Sequence, residues 1–196
     1  MLADQMIQRI EYVHSRNFLH RDIKPDNFTV GYGPRSHIVY LIDFGLAKRF
    51  RETETGEIIP ISKGRNMLSQ VYSSANAHLG FPQGRKDDLE SLGLSVIYWL
   101  KGSLPWSNVR AKSSELRSKK IKELKESTST EDLCNECPSE VKEYFQYCRS
   151  LNNEDKPDYT YLRDLFKNIL KRENQKYDYD YDWKALIEKE EMAELG

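Results

Sequence analysis

Eight positions stand out for the chemistry that their residue types and spacing allow. Residues 20–27, HRDIKPDN, hold the carboxylate of Asp22, the cation of Lys24 and the carboxamide of Asn27, and Asp43-Phe44-Gly45 follows after a short intervening stretch. Phosphoryl transfer asks little covalent chemistry of a protein and much positioning and charge stabilisation. Asp22 suits taking a proton from a substrate hydroxyl, and Lys24 suits steadying the charge of the group in flight. Asn27 and Asp43 are hard oxygen donors of the kind magnesium takes together with nucleotide phosphates. Alone, a His-Arg-Asp or an Asp-Phe-Gly tripeptide is as readily a turn as an active site. With His20, Arg21, Phe44 and Gly45 counted in, eight specified positions agree at fixed spacing, and coincidence becomes remote.

These residues need elements to hold them. Phe28 to Val30 and Ile38 to Ile42 are β-branched or aromatic runs, with Gly31, Gly33 and Pro34 between them, and predict a hairpin. Such a hairpin brings Asn27 and Asp43 to one end of a strand pair, as shared metal binding requires. Upstream, Leu2, Met6, Ile10 and Val13 recur at helical spacing over residues 2–16, with Asn17 as the stop. Downstream, Leu46 to Gly84 shows neither helical nor strand period, and a loop that long is more often functional than idle.

A helix is predicted from Arg85 to Lys101, with Asp87 and Asp88 in its first turn, Gly102 as its stop and burial on most sides. A basic stretch follows, including Arg110, Lys112, Arg117, Lys119, Lys120, Lys122 and Lys125. Helices are then expected from Ser139 through Leu151, from Tyr159 to Arg172 and, strongly charged, from Trp183 to Leu195. The run YDYDYD (177–182) reads as a surface connection. The sum is one mostly helical domain with a small hairpin near its start.

Composition narrows the function classes. Among 196 residues, 30 Lys and Arg against 31 Asp and Glu leave a net charge of −1, which gives no whole-chain field for nucleic acid. The longest apolar stretch, Leu92 to Leu100, is too short to span a bilayer. Residues 1–16 mix acidic and basic side chains and do not read as a secretory signal. Three cysteines form no paired disulfide framework, which suits a reducing compartment, cytoplasmic or nuclear. Cys134 and Cys137 make a C-x-x-C without the second ligand pair of a zinc site or the strand–helix setting of a redox pair.

The order H-R-D-x-K-x-x-N, strand, turn, strand, D-F-G is that of protein kinases. The sequence resembles the C-terminal lobe of a serine/threonine protein kinase, and within that superfamily the casein kinase I family. Residues 2–28 (LADQMIQRIEYVHSRNFLHRDIKPDNF), Ser74-Ala75-Asn76, DDLESLG (87–93), SLPW (103–106), CRSL (148–151) and DKPDYTYLRDLF (155–166) carry the likeness. The resemblance implies an α+β, mainly α kinase large lobe over residues 1–172, with an acidic, Tyr-rich connection and charged helix over 173–196. It implies transfer of the ATP γ-phosphate to protein Ser or Thr with Mg2+. Asp22 would be the base, Lys24 the phosphate-facing cation, and Asn27 and Asp43 the metal and nucleotide ligands. His20 and Phe44 would join an internal hydrophobic spine, and Asp88 would brace the catalytic loop through its backbone. The expected partners are protein substrates, acidic or primed among them, with neither nucleic acid nor membrane; oligomeric state is left open.

The sequence also departs from the family. It carries no G-x-G-x-x-G cover, no V-A-I-K lysine and no partner glutamate; Gly31-Tyr32-Gly33 falls inside the hairpin. The expectation is therefore that this chain alone does not transfer phosphate. Where the family reads close to L-T-G-T-A-R-Y, this chain has Met67-Leu68-Ser69-Gln70-Val71-Tyr72, so Ser69 stands for a threonine and Val71 for an anion-holding arginine. Arg117 and Lys120 can bind a substrate anion instead, or the basic stretch is a solvated helix face. Two readings stay open: a piece of an active kinase, or a non-catalytic binding module.

Overall fold

The apolar face of α1 (Leu2–Ser15) buries Met6, Ile7, Ile10 and Val13. The helix ends where Arg16 leaves helical geometry and Asn17 turns left-handed at φ 65°, a conformation Asn tolerates better than most side chains. The computed structural model describes residues 1–59 and 70–184.

Four short strands follow: β1 (Phe18–Leu19), β2 (Phe28–Val30), β3 (Val39–Leu41) and β4 (Lys48–Arg49). β2 and β3 pair antiparallel, Phe28 opposite Leu41, as the hairpin expectation has it. β1 pairs antiparallel with β4, Phe18 opposite Arg49, so an outer ribbon encloses the inner one. The stretch from Leu46 to Gly84, expected to be irregular, contains β4, an Arg51–Ile58 bridge and a one-turn helix, α2 (Ala75–His78). Elements of two to four residues are too short for periodicity to register. Ser74 marks α2 instead, its Oγ accepting from the Ala77 amide at 3.1 Å.

Five helices complete the described residues: α3 (Arg85–Lys101), α4 (Ser114–Ser127), α5 (Thr130–Leu133), α6 (Ser139–Ser150) and α7 (Tyr159–Arg172). α3 ends at Gly102, whose φ of 74° is left-handed. Leu89, Leu92 and Ile97 of α3 are fully buried among α1 and α6, but the expected burial stops there: Trp99 and Leu100 are 42% and 53% exposed. Gly93 permits the close crossing of α6, since a Cβ there would lie 2.6 Å from the Phe145 ring. Packing of α6 and α1 against α7 closes the core. The architecture is α+β and mainly α, as expected.

Residues 177–183 are held more firmly than a surface connection requires. The Tyr177 hydroxyl donates to Asp4 Oδ2 at 2.6 Å, Gln5 Nε2 to the Tyr181 hydroxyl at 2.9 Å, and Trp183 Nε1 to the Ser36 carbonyl at 3.0 Å. Asp178 and Asp180 face solvent while Tyr181 is buried. The charged helix expected from Trp183 to Leu195 lies, beyond Lys184, outside the described residues.

Candidate active site

The nested ribbons set the site. Residues 20–27 link β1 to β2, and residues 43–45 link β3 to β4, so the pairing of β1 with β4 and β2 with β3 places the two loops side by side. The inner ladder extends one bond further, from the Ile42 amide to the Asn27 carbonyl at 2.9 Å. Asn27 and Asp43 thus share one end of the hairpin.

Asp88, in the first turn of α3, holds the 20–27 loop by its backbone. Its Oδ2 accepts from the His20 amide and its Oδ1 from the Arg21 amide, both at 2.8 Å. His14 of α1 completes the knot, Nε2 donating to Asp88 Oδ2 at 2.9 Å and Nδ1 accepting from the Tyr159 hydroxyl at 2.7 Å. Burial pushes the Asp88 carboxyl up, but the hydrogen bond from His14, the His14 and His20 imidazoles beside it and the His20 amide outweigh burial and hold the carboxyl below its ordinary value. Arg21 is left-handed at φ 67° and donates from Nε to the Leu46 carbonyl at 2.7 Å, tying the two loops together.

His20 is fully buried, its Nε2 donating to the Ile42 carbonyl at 3.0 Å. Its ring meets Phe44 edge-on at 5.0 Å. Phe44 itself is 50% exposed, whereas His20 is fully buried.

Asp22 is nine-tenths buried or more, at 5% exposure. Lys24 Nζ donates to its Oδ2 at 2.8 Å and Asn27 Nδ2 to the same oxygen at 3.0 Å. Asn27 Nδ2 also donates to the Asp22 carbonyl at 2.7 Å, which turns the carboxamide oxygen away from these bonds. Asp22 Oδ1 is buried and has no hydrogen-bond partner. A buried carboxylate oxygen left in that state is costly. Asp43 is exposed and left-handed at φ 62°, its Oδ1 accepting from the Gly45 amide at 3.1 Å.

The residues expected to choose a substrate are placed less simply. Met67, Leu68 and Ser69 lie outside the described residues. Val71 packs against the apolar core and its carbonyl accepts from Trp106 Nε1 at 2.7 Å. Arg117 Nε donates to the Val109 carbonyl at 3.1 Å, with Nη1 3.4 Å from Gln70 Oε1, while Lys120 is exposed beside Arg110 and Lys112.

Lys125, counted within the same basic stretch, is instead buried. Its ammonium donates to the Gln70 carbonyl at 2.7 Å and to the Ser73 carbonyl and hydroxyl, and lies 5.2 Å from the Trp106 ring. Burial pushes its pKa down to about 7, against the charge of Glu90. Nothing in a run of lysines distinguishes this one, because its partners are backbone atoms remote in sequence. Ser74 was legible as part of a motif but its role was not: its Oγ donates to Asp87 Oδ1 at 2.6 Å and joins α2 to α3. Cys134 is buried, and burial, aided by Cys137, pushes its thiol up to about 11, far from a reactive thiolate.

A family model described as protein kinase domain matches residues 1–176.

Proposed function

The chain belongs to the protein kinase family, and from that premise we propose that it is a serine/threonine kinase of casein kinase I type, acting on proteins with ATP and Mg2+. One observation carries the reading: Asp22 has one oxygen fixed by Lys24 and Asn27, and the other buried without a partner.

The donor set fits magnesium and a nucleotide. Among the described residues no group of three or more His, Cys, Asp or Glu gathers to hold a metal by itself. Magnesium bound by Asn27 and Asp43 would therefore need phosphate oxygens as further ligands, its usual habit. When bound, the Mg–ATP complex supplies the transferable phosphoryl group and neutralises its charge. Asp22 Oδ1 takes the proton from a Ser or Thr hydroxyl as that oxygen bonds to the γ-phosphorus and the bond to the ADP oxygen breaks. Lys24 holds Asp22 Oδ2 and offers positive charge beside the transferred group. Asp88 fixes the loop backbone so that Asp22 does not have to be ordered during the reaction.

The casein kinase I part of the reading is supported by Ser74, which stands where most kinases carry A-P-E and bonds to Asp87. In this reading residues 1–172 form the large lobe and 173–196 a trailing connection. The test measures phosphate transfer from ATP to matched Ser, Thr and Tyr peptides. It uses these residues joined to a kinase small lobe, because the sequence carries no Gly-rich cover of its own. Ser and Thr peptides should react and Asp22→Asn should lower kcat by roughly 10²–10⁴-fold. A preference for Tyr, or an undiminished rate with Asp22→Asn, would overturn the proposal.

A further inference from the structure

At the tip of the β2–β3 hairpin, the end opposite Asn27 and Asp43, lies a groove of about 850 Å³ lined by α1, the turn at 33–38 and the 178–184 segment. Its walls are fixed by bonds among those three parts. Gln5 Nε2 donates to the His37 carbonyl at 2.8 Å, and Gln5 Oε1 accepts from the Val39 amide at 3.0 Å. His37 and Tyr179 meet edge-on at 5.6 Å, and Trp183 is bonded to Ser36.

Arg9 is the exception in this well-partnered setting. It lines the groove, yet its Nε is buried from solvent with no hydrogen-bond partner. Lys184 lines the same groove, and among the described residues the one acidic side chain there is Asp178, so the described lining carries an excess of positive charge before His37 is counted. Leaving a buried donor of a charged group unpaired is costly. A guanidinium is best satisfied by a carboxylate or phosphate, which it meets with two parallel bonds. The groove is far larger than a single ion and lies within the ~300–1,000 Å³ range of cavities that take extended ligands.

We propose that this groove binds an acidic segment of a protein partner, with a carboxylate or phosphate side chain of that segment seated on Arg9 and Lys184. The site is separate from the one around Asp22, and its readout is binding, so it stands or falls independently of phosphoryl transfer.

The test is fluorescence anisotropy with the full 196-residue chain and a labelled Glu-rich peptide, with and without one phosphoserine, and with inorganic phosphate as competitor. The peptide should bind, and Arg9→Gln should weaken it about tenfold or more, since hydrogen bonds to charged groups contribute roughly 1.5–3 kcal/mol. Tighter binding of the phosphoserine form assigns a phosphate to the site, and equal binding assigns a carboxylate. The thermal midpoint of Arg9→Gln should stay unchanged or rise, because Nε gives up no bond. Lys184→Gln, at an exposed position, carries the same test should Arg9→Gln fold poorly. Lys120→Gln should leave binding intact. The proposal is overturned by absence of binding, by loss with Lys120→Gln but not with Arg9→Gln or Lys184→Gln, or by inorganic phosphate competing as well as the peptide.

Discussion

At Asp88 a single carboxylate meets three donors, two of them backbone amides of the loop that carries Asp22. Its carboxyl is held below the ordinary value of 3.8, so its contribution to stability is present above that value and lost as pH falls through the folded one. Removing the acceptor strands those donors: Asp88→Ala should cost about 3–5 kcal/mol in urea unfolding, as for a broken buried pair. Asp87, its neighbour, behaves in the opposite sense. Burial pushes its carboxyl up to about 6, against bonds from Gly84 and Ser74. The fold then favours the protonated form, and stability should decline as pH rises from 3.8 to about 6, by at most ~3 kcal/mol at 1.4 kcal/mol per unit. Urea midpoints across that window should show the decline, and Asp87→Asn should flatten it. Two adjacent aspartates in a helix's first turn look alike in sequence. What separates them, one facing His14 and two amides and the other facing Ser74, is tertiary.

Between α4 and the end of the segment before α2, the tie is the ammonium of Lys125. Its pKa of about 7 in the fold lies below the ordinary 10.5, so the unfolded chain binds the proton more tightly between those values. Stability should therefore rise with pH across that interval, and Lys125→Met should abolish the rise. The same substitution should speed amide hydrogen exchange at Val71 to Ser73, because Gln70 and Ser73 lose their shared donor. Four of the five long helices were open to reading from sequence alone, because α1, α3, α6 and α7 show apolar spacing, whereas α4, equally long, showed only as a basic stretch. The inner hairpin was legible too, with its glycines and proline. β1 and β4 were not, since two residues carry no alternation and their pairing is a property of the closed ribbon. At the site, the spacing of Asp22, Lys24, Asn27 and Asp43 was legible as chemistry. The unpartnered Oδ1 of Asp22 and the exposed half of the Phe44 ring were not, because they depend on what the fold brings near.

Over the whole molecule, two apolar grooves adjoin at the start of α1 and the end of α3, sharing Leu2 and Trp99. One is lined also by Leu100, Phe166 and Ile169, the other by Phe28, Val39 and Trp183. Contiguous apolar surface of this kind drives association. Sedimentation velocity of the 196-residue chain should show concentration-dependent oligomers, and Trp99→Lys with Leu100→Lys should shift them toward monomer while far-ultraviolet dichroism holds steady. The same region is where the first and last described elements meet: Asp4 pairs with Arg163 at 2.7 Å and with Tyr177, and Gln5 with Tyr181. A ribosome adds Asp4 to the chain 159 residues before Arg163. At about 5–20 residues per second, on the order of ten seconds or more separates them. A 14-residue helix is marginal by itself in that interval. The side of α1 that meets α7 must wait, uncovered, for those later residues to emerge, which makes the nascent polypeptide a natural client for chaperones over that interval.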